Sequence, residues 1–180
     1  MGGVRKPLVL VDGRSVLRRQ LEVLDPLFAE VVLCADDAAP FDALGRRVLL
    51  DEAPGQGPLP AIARALRAVM APLLFVVAGD MPDISAPPIR LVVDRLLSRG
   101  EHACDAAVPL VGGFFEPLFA CYARSCLPAI ERALGAGRRK TTSFYDQVYV
   151  ELVGEQELRR VDPGLSFLRN LNQPGDLAPP

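Results

Sequence analysis

The stretch Leu73–Pro82, LLFVVAGDMP, constrains the fold of this chain more than any other. Leu73 to Val77 form an unbroken apolar run, which predicts a strand covered by other elements on both faces. The run passes Ala78 and Gly79, sets down Asp80 and turns at Met81-Pro82. Open α/β sheets take ligands just beyond the carboxyl ends of their strands. A carboxylate there can hold a hard divalent cation against a substrate phosphate, because Mg²⁺ accepts one or two carboxylates together with phosphate oxygens. Read alone, Asp80 fits equally well as a turn residue or as a cap for the helix expected over Pro87–Ser98.

Two further apolar segments end in acids. Glu30–Ala35 (EVVLCA) runs into Asp36-Asp37, and Arg46–Leu50 (RRVLL) into Asp51-Glu52. Helical periodicity fills the gaps. Val16, Leu17, Leu21 and Leu24 follow a Ser15 N-cap, and Leu59, Ile62, Leu66 and Val69 line a helix reaching Met70. Strands alternating with helices imply parallel pairing through right-handed crossovers, which would bring Asp36, Asp51 and Asp80 to one edge. Leu8–Val11 is expected as a short strand before the Asp12-Gly13 turn. Downstream, Asp105–Leu110 and Val148–Val153 read as strands and Ser125–Leu134 as a helix. Thr141 or Thr142 caps a short helix through Asp146, and Pro117 marks a bend or an edge within Phe114–Tyr122. No repeat or long linker divides the 180 residues, so a single domain over 1–180 is expected.

Composition excludes several classes. The net charge of −2 offers no electrostatic footprint for nucleic acid. No run reaches the ~18 apolar residues of a membrane span, and the start lacks a signal-peptide pattern, so a cytoplasmic protein is expected. Cys34, Cys104, Cys121 and Cys126 form no CxxC, and His102 is the only histidine, which leaves no ligand set for zinc. Cys34 and Cys121 fall in expected strands and read as buried, reduced thiols.

Lys6 follows Gly2-Gly3. A compact ammonium beside a glycine-containing loop suits phosphate contact, although a solvated surface lysine reads the same way. Gly55 and Gly57 permit close backbone approach before the helix that Pro58 opens, and a helix N-terminus entered this way favours an anion. The loop is neither a Walker loop nor GxGxxG. Arg138-Arg139-Lys140 forms a small basic cluster, a solvated face or a grip on an anionic substrate. In the tail, Asn170 and Asn172 would point the same way if the piece is extended.

The segments MGGVRKPLVLVDGRSVLRRQLEVL, GPLPAIARAL, VAGDMP, PLFACY and NLNQPGDL stand in the order seen in the molybdenum cofactor guanylyltransferases, which this chain resembles over essentially its whole length. The resemblance implies an α/β, Rossmann-like nucleotidyltransferase fold with a mainly parallel sheet and helices on both faces. It implies transfer of GMP from GTP to the phosphate of molybdenum-bound molybdopterin, with Mg²⁺ required and pyrophosphate released, and molybdoenzymes as recipients of the product. By position, Lys6 matches a lysine that contacts the nucleotide phosphates. Asp51 matches a GTP-contacting acid, and Asp80 the aspartate that meets both nucleotide and Mg²⁺. Gly2 and Gly3 belong to the nucleotide-binding loop, and Asn170 and Asn172 are candidates for substrate contact. Asp36 stands where the family has Asn, and it can accept from a ribose hydroxyl or a guanine N–H but cannot donate. Arg5 replaces the usual Asp before the lysine.

The family also opens with a strand and a loop of the form L-A-G-G-x-S-x-R ahead of a segment like MGG, and neither occurs here. An upstream strand of about 5–6 apolar residues and a glycine-rich loop are therefore expected to complete the nucleotide site. Without them the chain should associate and bind GTP poorly. A cytidylyltransferase on the same cofactor and a non-catalytic relative that binds cofactor or partner are the alternative readings.

Overall fold

Asp12 and Gly13 close the first hairpin. In the computed structural model, which describes residues 6–51, 55–98 and 104–171, both carry positive φ, 50° and 78°. That backbone is the two-residue turn Asp-Gly favours. It folds β1 (Leu10–Val11) back onto β2 (Arg14–Ser15) as an antiparallel pair. The strand expected over Leu8–Val11 is therefore shortened, and Lys6–Leu8 coils as a 3-10 turn. Ser15 caps α1 (Val16–Leu24), its Oγ accepting the Arg18 N–H at 3.3 Å.

β3 (Leu33–Ala35) and β4 (Val48–Leu50) pair in parallel, with Leu33 opposite Val48 and Ala35 opposite Leu50. Both are shorter than the strands expected over Glu30–Ala35 and Arg46–Leu50. α2 (Pro58–Ala68) begins on Pro58 and gives way to extended backbone at Val69. Then follow β5 (Leu73–Val77), α3 (Ala86–Leu97), β6 (Ala106–Val111), β7 (Phe114–Phe115), β8 (Phe119–Ala123), α4 (Leu127–Gly135), β9 (Val150–Gly154) and α5 (Glu155–Val161). Gly112 and Gly113 (φ 58° and 83°) turn β6 back into β7. Pro117 then breaks the extended run, and β8 enters the sheet between β5 and β6, antiparallel to both. β9 joins β6 in parallel. β5, β6 and β9 thus share one direction and β8 opposes them, so the sheet is mixed.

Period-2 alternation sorts β5 between two cores. Leu73, Phe75 and Val77 pack with Ile89, Val92 and Leu96 of α3, Leu158 of α5 and Phe167. Leu74 and Val76 pack with Leu59, Ile62 and Leu66 of α2 and Ile130 of α4. Helices accordingly cover both faces. Leu59, Leu66, Ile89 and Ile130 are at most 1% exposed, each contributing about 1.5–3 kcal/mol on burial. A smaller cluster, Leu17, Leu21 and Phe41, holds α1 against β3 and β4.

Three expectations are corrected. β5 is half-buried at every position, whereas β6 and β8 are largely buried. A cleft of about 790 Å³ runs along one edge of β5, and its walls include β3, α1 and α2. Cys34 is exposed to that cleft. The short helix near residue 144 lacks a threonine cap and is a 3-10 turn over Tyr145–Gln147, set by the buried Phe144. Among the described residues no helix is long and apolar enough to cross a membrane.

Candidate active site

The carboxyl end of β5 meets the start of the described chain. Lys6 Nζ lies 2.8 Å from Asp80 Oδ2, both side chains half-buried. The turn carrying Asp80 is fixed from inside. Gln20 of α1, 2% exposed, donates Nε2–H to the Ala78 carbonyl at 2.7 Å and to the Met81 carbonyl at 2.9 Å. The Leu171 N–H donates to the Asp80 carbonyl at 2.9 Å, which ties the tail beside Asn170 to the same turn. Arg19 donates to the Pro82 carbonyl and pairs with Asp12 at 3.2 Å and Asp83 at 3.6 Å. Arg169 reaches Asp83 at 2.5 Å. Lys6, Arg19 and Arg169 therefore gather at one strand end, an arrangement of donors suited to phosphate oxygens.

The second group follows from the β3–β4 register. Parallel pairing of Ala35 with Leu50 sets the next residues, Asp36 and Asp51, side by side, and the Asp51 N–H donates to the Ala35 carbonyl at 2.9 Å. Desolvation pushes the Asp51 carboxyl above its usual range, and the charge and hydrogen bond of Asp36 push it the same way, against Arg64. Two carboxyls held together call for a shared proton or for donors from a ligand. Asp51 also lines a cavity of about 180 Å³ with Gln56, Gly57, Arg64 and Arg139, where α2 presents its N-terminus. Arg139, from the basic cluster, therefore faces the same space as Asp51.

Lys6 joins Asp80, and Asp36 joins Asp51, but the two pairs stand at different cavities. Asn170 is exposed next to the Leu171 tether. Gly2, Gly3 and Asn172 lie outside the described residues. Gln20, Arg19, Arg64, Asp83 and Arg169 were not singled out from sequence. Gln20 had a signal, because Leu17, Gln20, Leu21 and Leu24 share one helical stripe and a polar residue within it is bound to serve buried partners. The Cys34 thiol is walled by the cleft closely enough that desolvation, reinforced by Asp51, raises it to about 11, so it remains a thiol at neutral pH.

Residues 1–151 match the MobA-like NTP transferase domain. The chain belongs to that family. A probable molybdenum cofactor guanylyltransferase from Pelotomaculum thermopropionicum is 36% identical over 97% of this chain and 83% of its own length. Molybdopterin-guanine dinucleotide biosynthesis protein A from Archaeoglobus fulgidus is 28% identical and superposes with a TM-score of 0.79, over 97% of this chain and 88% of that one. The 2-C-methyl-D-erythritol 4-phosphate cytidylyltransferase of Thermus thermophilus, 22% identical, shares the fold at a TM-score of 0.67, covering 96% of this chain and 90% of that one. The mixed sheet with helices on both faces is therefore the Rossmann-like nucleotidyltransferase fold.

In this MobA-like chain, no three His, Cys, Asp or Glu side chains converge on a metal position among the described residues. Asp80 provides a carboxylate just beyond the end of β5. That donor set fits Mg²⁺ held mostly by substrate phosphates and water, and does not fit a metal caged by protein alone.

Proposed function

We propose that this protein transfers GMP from GTP to the phosphate of molybdenum-bound molybdopterin and releases pyrophosphate. The observation that carries the reading is the Lys6–Asp80 pair at the carboxyl end of β5, within a MobA-like NTP transferase domain. Phosphoryl transfer asks a protein for positioning and charge neutralisation more than for a covalent partner. Lys6 is placed to meet the nucleotide phosphates, and Asp80 would be the residue that holds Mg²⁺. Mg²⁺, when bound, supplies neutralising charge across the phosphates. Asp36 and Asp51 accept N–H or O–H donors of the nucleoside, which relieves their mutual repulsion. On the family resemblance, Gly2 and Gly3 are assigned to nucleotide binding, and Asn170 and Asn172 to substrate contact. The product passes to molybdoenzymes in the cytoplasm.

The test is direct. The protein is incubated with GTP, CTP or ATP, Mg²⁺ and molybdenum-loaded molybdopterin, and pyrophosphate is measured. GTP is expected to give the fastest release and the largest rise in melting temperature, through preferential binding to the folded state. Faster release with CTP would reassign the base. Binding of cofactor without pyrophosphate from any nucleotide would replace the enzyme reading with a carrier.

A further inference from the structure

Glu116 is held firmly by its backbone while its carboxyl stays unpaired. Its N–H donates to the Pro109 carbonyl at 3.0 Å, and its own carbonyl accepts the Phe119 N–H at 3.1 Å. The Tyr145 and Tyr122 hydroxyls meet at 2.9 Å, and Tyr122 donates onward to the Pro117 carbonyl at 2.8 Å, which fixes the next residue. At the tip of the β6–β7 hairpin the Gly112 N–H donates to Glu155 Oε2 at 3.0 Å. The Glu116 side chain itself makes no hydrogen bond or ion pair among the described residues. It is half-buried, and desolvation pushes its carboxyl above the usual range. A carboxyl drawn partly out of water without donors is unfavourable, so a fixed loop that keeps one there calls for donors from outside the chain.

The position of Glu116 narrows what those donors belong to. The β5–β8 ladder ends with the Ala78 N–H on the Leu118 carbonyl. Asp80 stands two residues beyond Ala78 and Glu116 two residues before Leu118, so both belong to the edge where open α/β sheets take ligands. β8 flanks β5 on the side away from β3. The Asp36–Asp51 pair proposed for the nucleoside follows β3 and β4, and Lys6 and Asp80 are proposed for the phosphates, which leaves the β8 side to the acceptor. The bond to Pro109 carries the β6–β7 register one residue further. Phe114 and Glu116 therefore share a face, because alternate residues of an extended strand point the same way. The Phe114 side chain is 75% exposed, whereas Phe115 packs edge-on against Tyr145 with ring centroids 5.5 Å apart.

We infer that Phe114 and Glu116 bind the pterin ring of the acceptor, the phenyl packing on its face and the carboxylate accepting the paired N–H donors of its aminopyrimidinone edge. The inference rests on the proposed acceptor and adds the residues that select it. Two adjacent N–H groups match the two oxygens of one carboxylate, and the charge strengthens both bonds. A metal ion fits less well, since no three His, Cys, Asp or Glu side chains gather among the described residues. A basic side chain from a partner would meet Lys6, Arg19 and Arg169, which already occupy this strand end and repel it. An acceptor that is anionic at its phosphate and neutral at its ring suits both charges. Guanine carries the same donor edge, so the test has to separate the two rings.

Binding of pterin, and of lumazine, which has a carbonyl where pterin has its amino group, is followed by ligand fluorescence without nucleotide. Pterin is expected to saturate at one per chain and to bind about tenfold or more tighter than lumazine, as a site built around a donor rejects the analogue that lacks it. Glu116→Gln keeps the shape but sets an N–H against the donors of the ring. It should weaken pterin about tenfold or more, spare lumazine, and leave the melting temperature unchanged. Phe114→Ala should weaken both ligands alike. No binding of pterin, equal losses of both ligands in Glu116→Gln, or no loss of either would overturn the inference. So would a Glu116→Gln protein that keeps pterin but loses affinity for GTP, which would give the carboxylate to guanine, or for an arginine peptide, which would give it to a basic partner. Pyrophosphate is not measured in these titrations. Pterin selection through Glu116 in a protein that releases no pyrophosphate would keep the inference and remove the transferase; pyrophosphate release with pterin binding indifferent to Glu116 would do the reverse.

Discussion

Asp80 and Asp51 are both carboxylates at strand ends, yet their surroundings assign them different work. Asp80 sits against the Lys6 ammonium, which compensates its charge. Asp80→Asn keeps the shape and removes the charge. Pyrophosphate release is expected to fall at least about tenfold, which is about 1.4 kcal/mol in the barrier, with the melting temperature little changed. Asp51 lies beside another carboxyl and is pushed upward, first by desolvation and then by Asp36. A folded-state value above the unfolded one means that the folded protein binds this proton more readily. The stability linked to it is fully present below about pH 4, the unfolded value, and is lost as pH rises through the raised value. Asp51→Asn should therefore melt higher than the native protein at pH 7, and the gap should narrow as pH falls toward 4. Melting curves of both proteins across that range provide the check. The place of Asp80 just beyond a strand was legible from the five-residue apolar run that precedes it. The meeting of Asp36 and Asp51 followed from parallel strands that both end in acids, but the separation of Asp80 from them, at another cavity, did not, because β3 and β4 pair apart from β5.

Elements position these groups through few contacts, and α1 is the clearest case. Gln20 holds two carbonyls of the Asp80 turn while buried at 2% exposure. Gln20→Leu would leave both carbonyls short of a donor in an apolar setting. The expected cost is about 2 kcal/mol, or roughly 4–8 °C in melting temperature for a chain of this size, together with a weaker response to GTP. Thermal melts with and without nucleotide would show both effects, and an unchanged melting temperature would remove the clamp from the account. The helices were readable because their apolar stripes recur at helical spacing behind Ser15, Pro58 and the Pro87 region. β5, β6 and β8 were readable as apolar runs. The placement of β8 between β5 and β6 was not, because a strand buried on both faces carries no mark of its neighbours. α5 drew no reading at all. Its start depends on Glu157 accepting the Gly154 N–H at 3.1 Å, a local bond with little sequence signature when glycine is the cap.

At the scale of the whole molecule the cleft divides two bodies of unequal strength. On one side stand two large cores around the five-stranded sheet, with Ala106, Ala107, Val108, Ala120, Cys121 and Tyr122 fully buried. On the other, Leu17, Leu21 and Phe41 are the buried apolar residues, among the described ones, of the cluster that holds β3 and β4 against α1. The β3 and β4 strands are half-buried or exposed at every position. They connect to the larger body through α1 and the residues after it, where Phe28 stacks on Phe75 with ring centroids 5.6 Å apart, and through α2, where Arg64 donates to the Leu50 carbonyl and Arg47 to the Ala68 carbonyl. Local opening follows the density of buried apolar contact, so the smaller body should open without unfolding the larger. Native-state hydrogen exchange in low denaturant is expected to show β3 and β4 amides exchanging at least about tenfold faster than those of β6 and β8, a difference of about 1.4 kcal/mol or more. Their exchange should also depend less steeply on denaturant, because less surface is exposed in a partial opening. Equal protection and equal denaturant dependence in all four strands would mean that the two bodies unfold as one. In that case the contacts of α1 and α2 with β3 and β4 would couple them more strongly than their buried area implies.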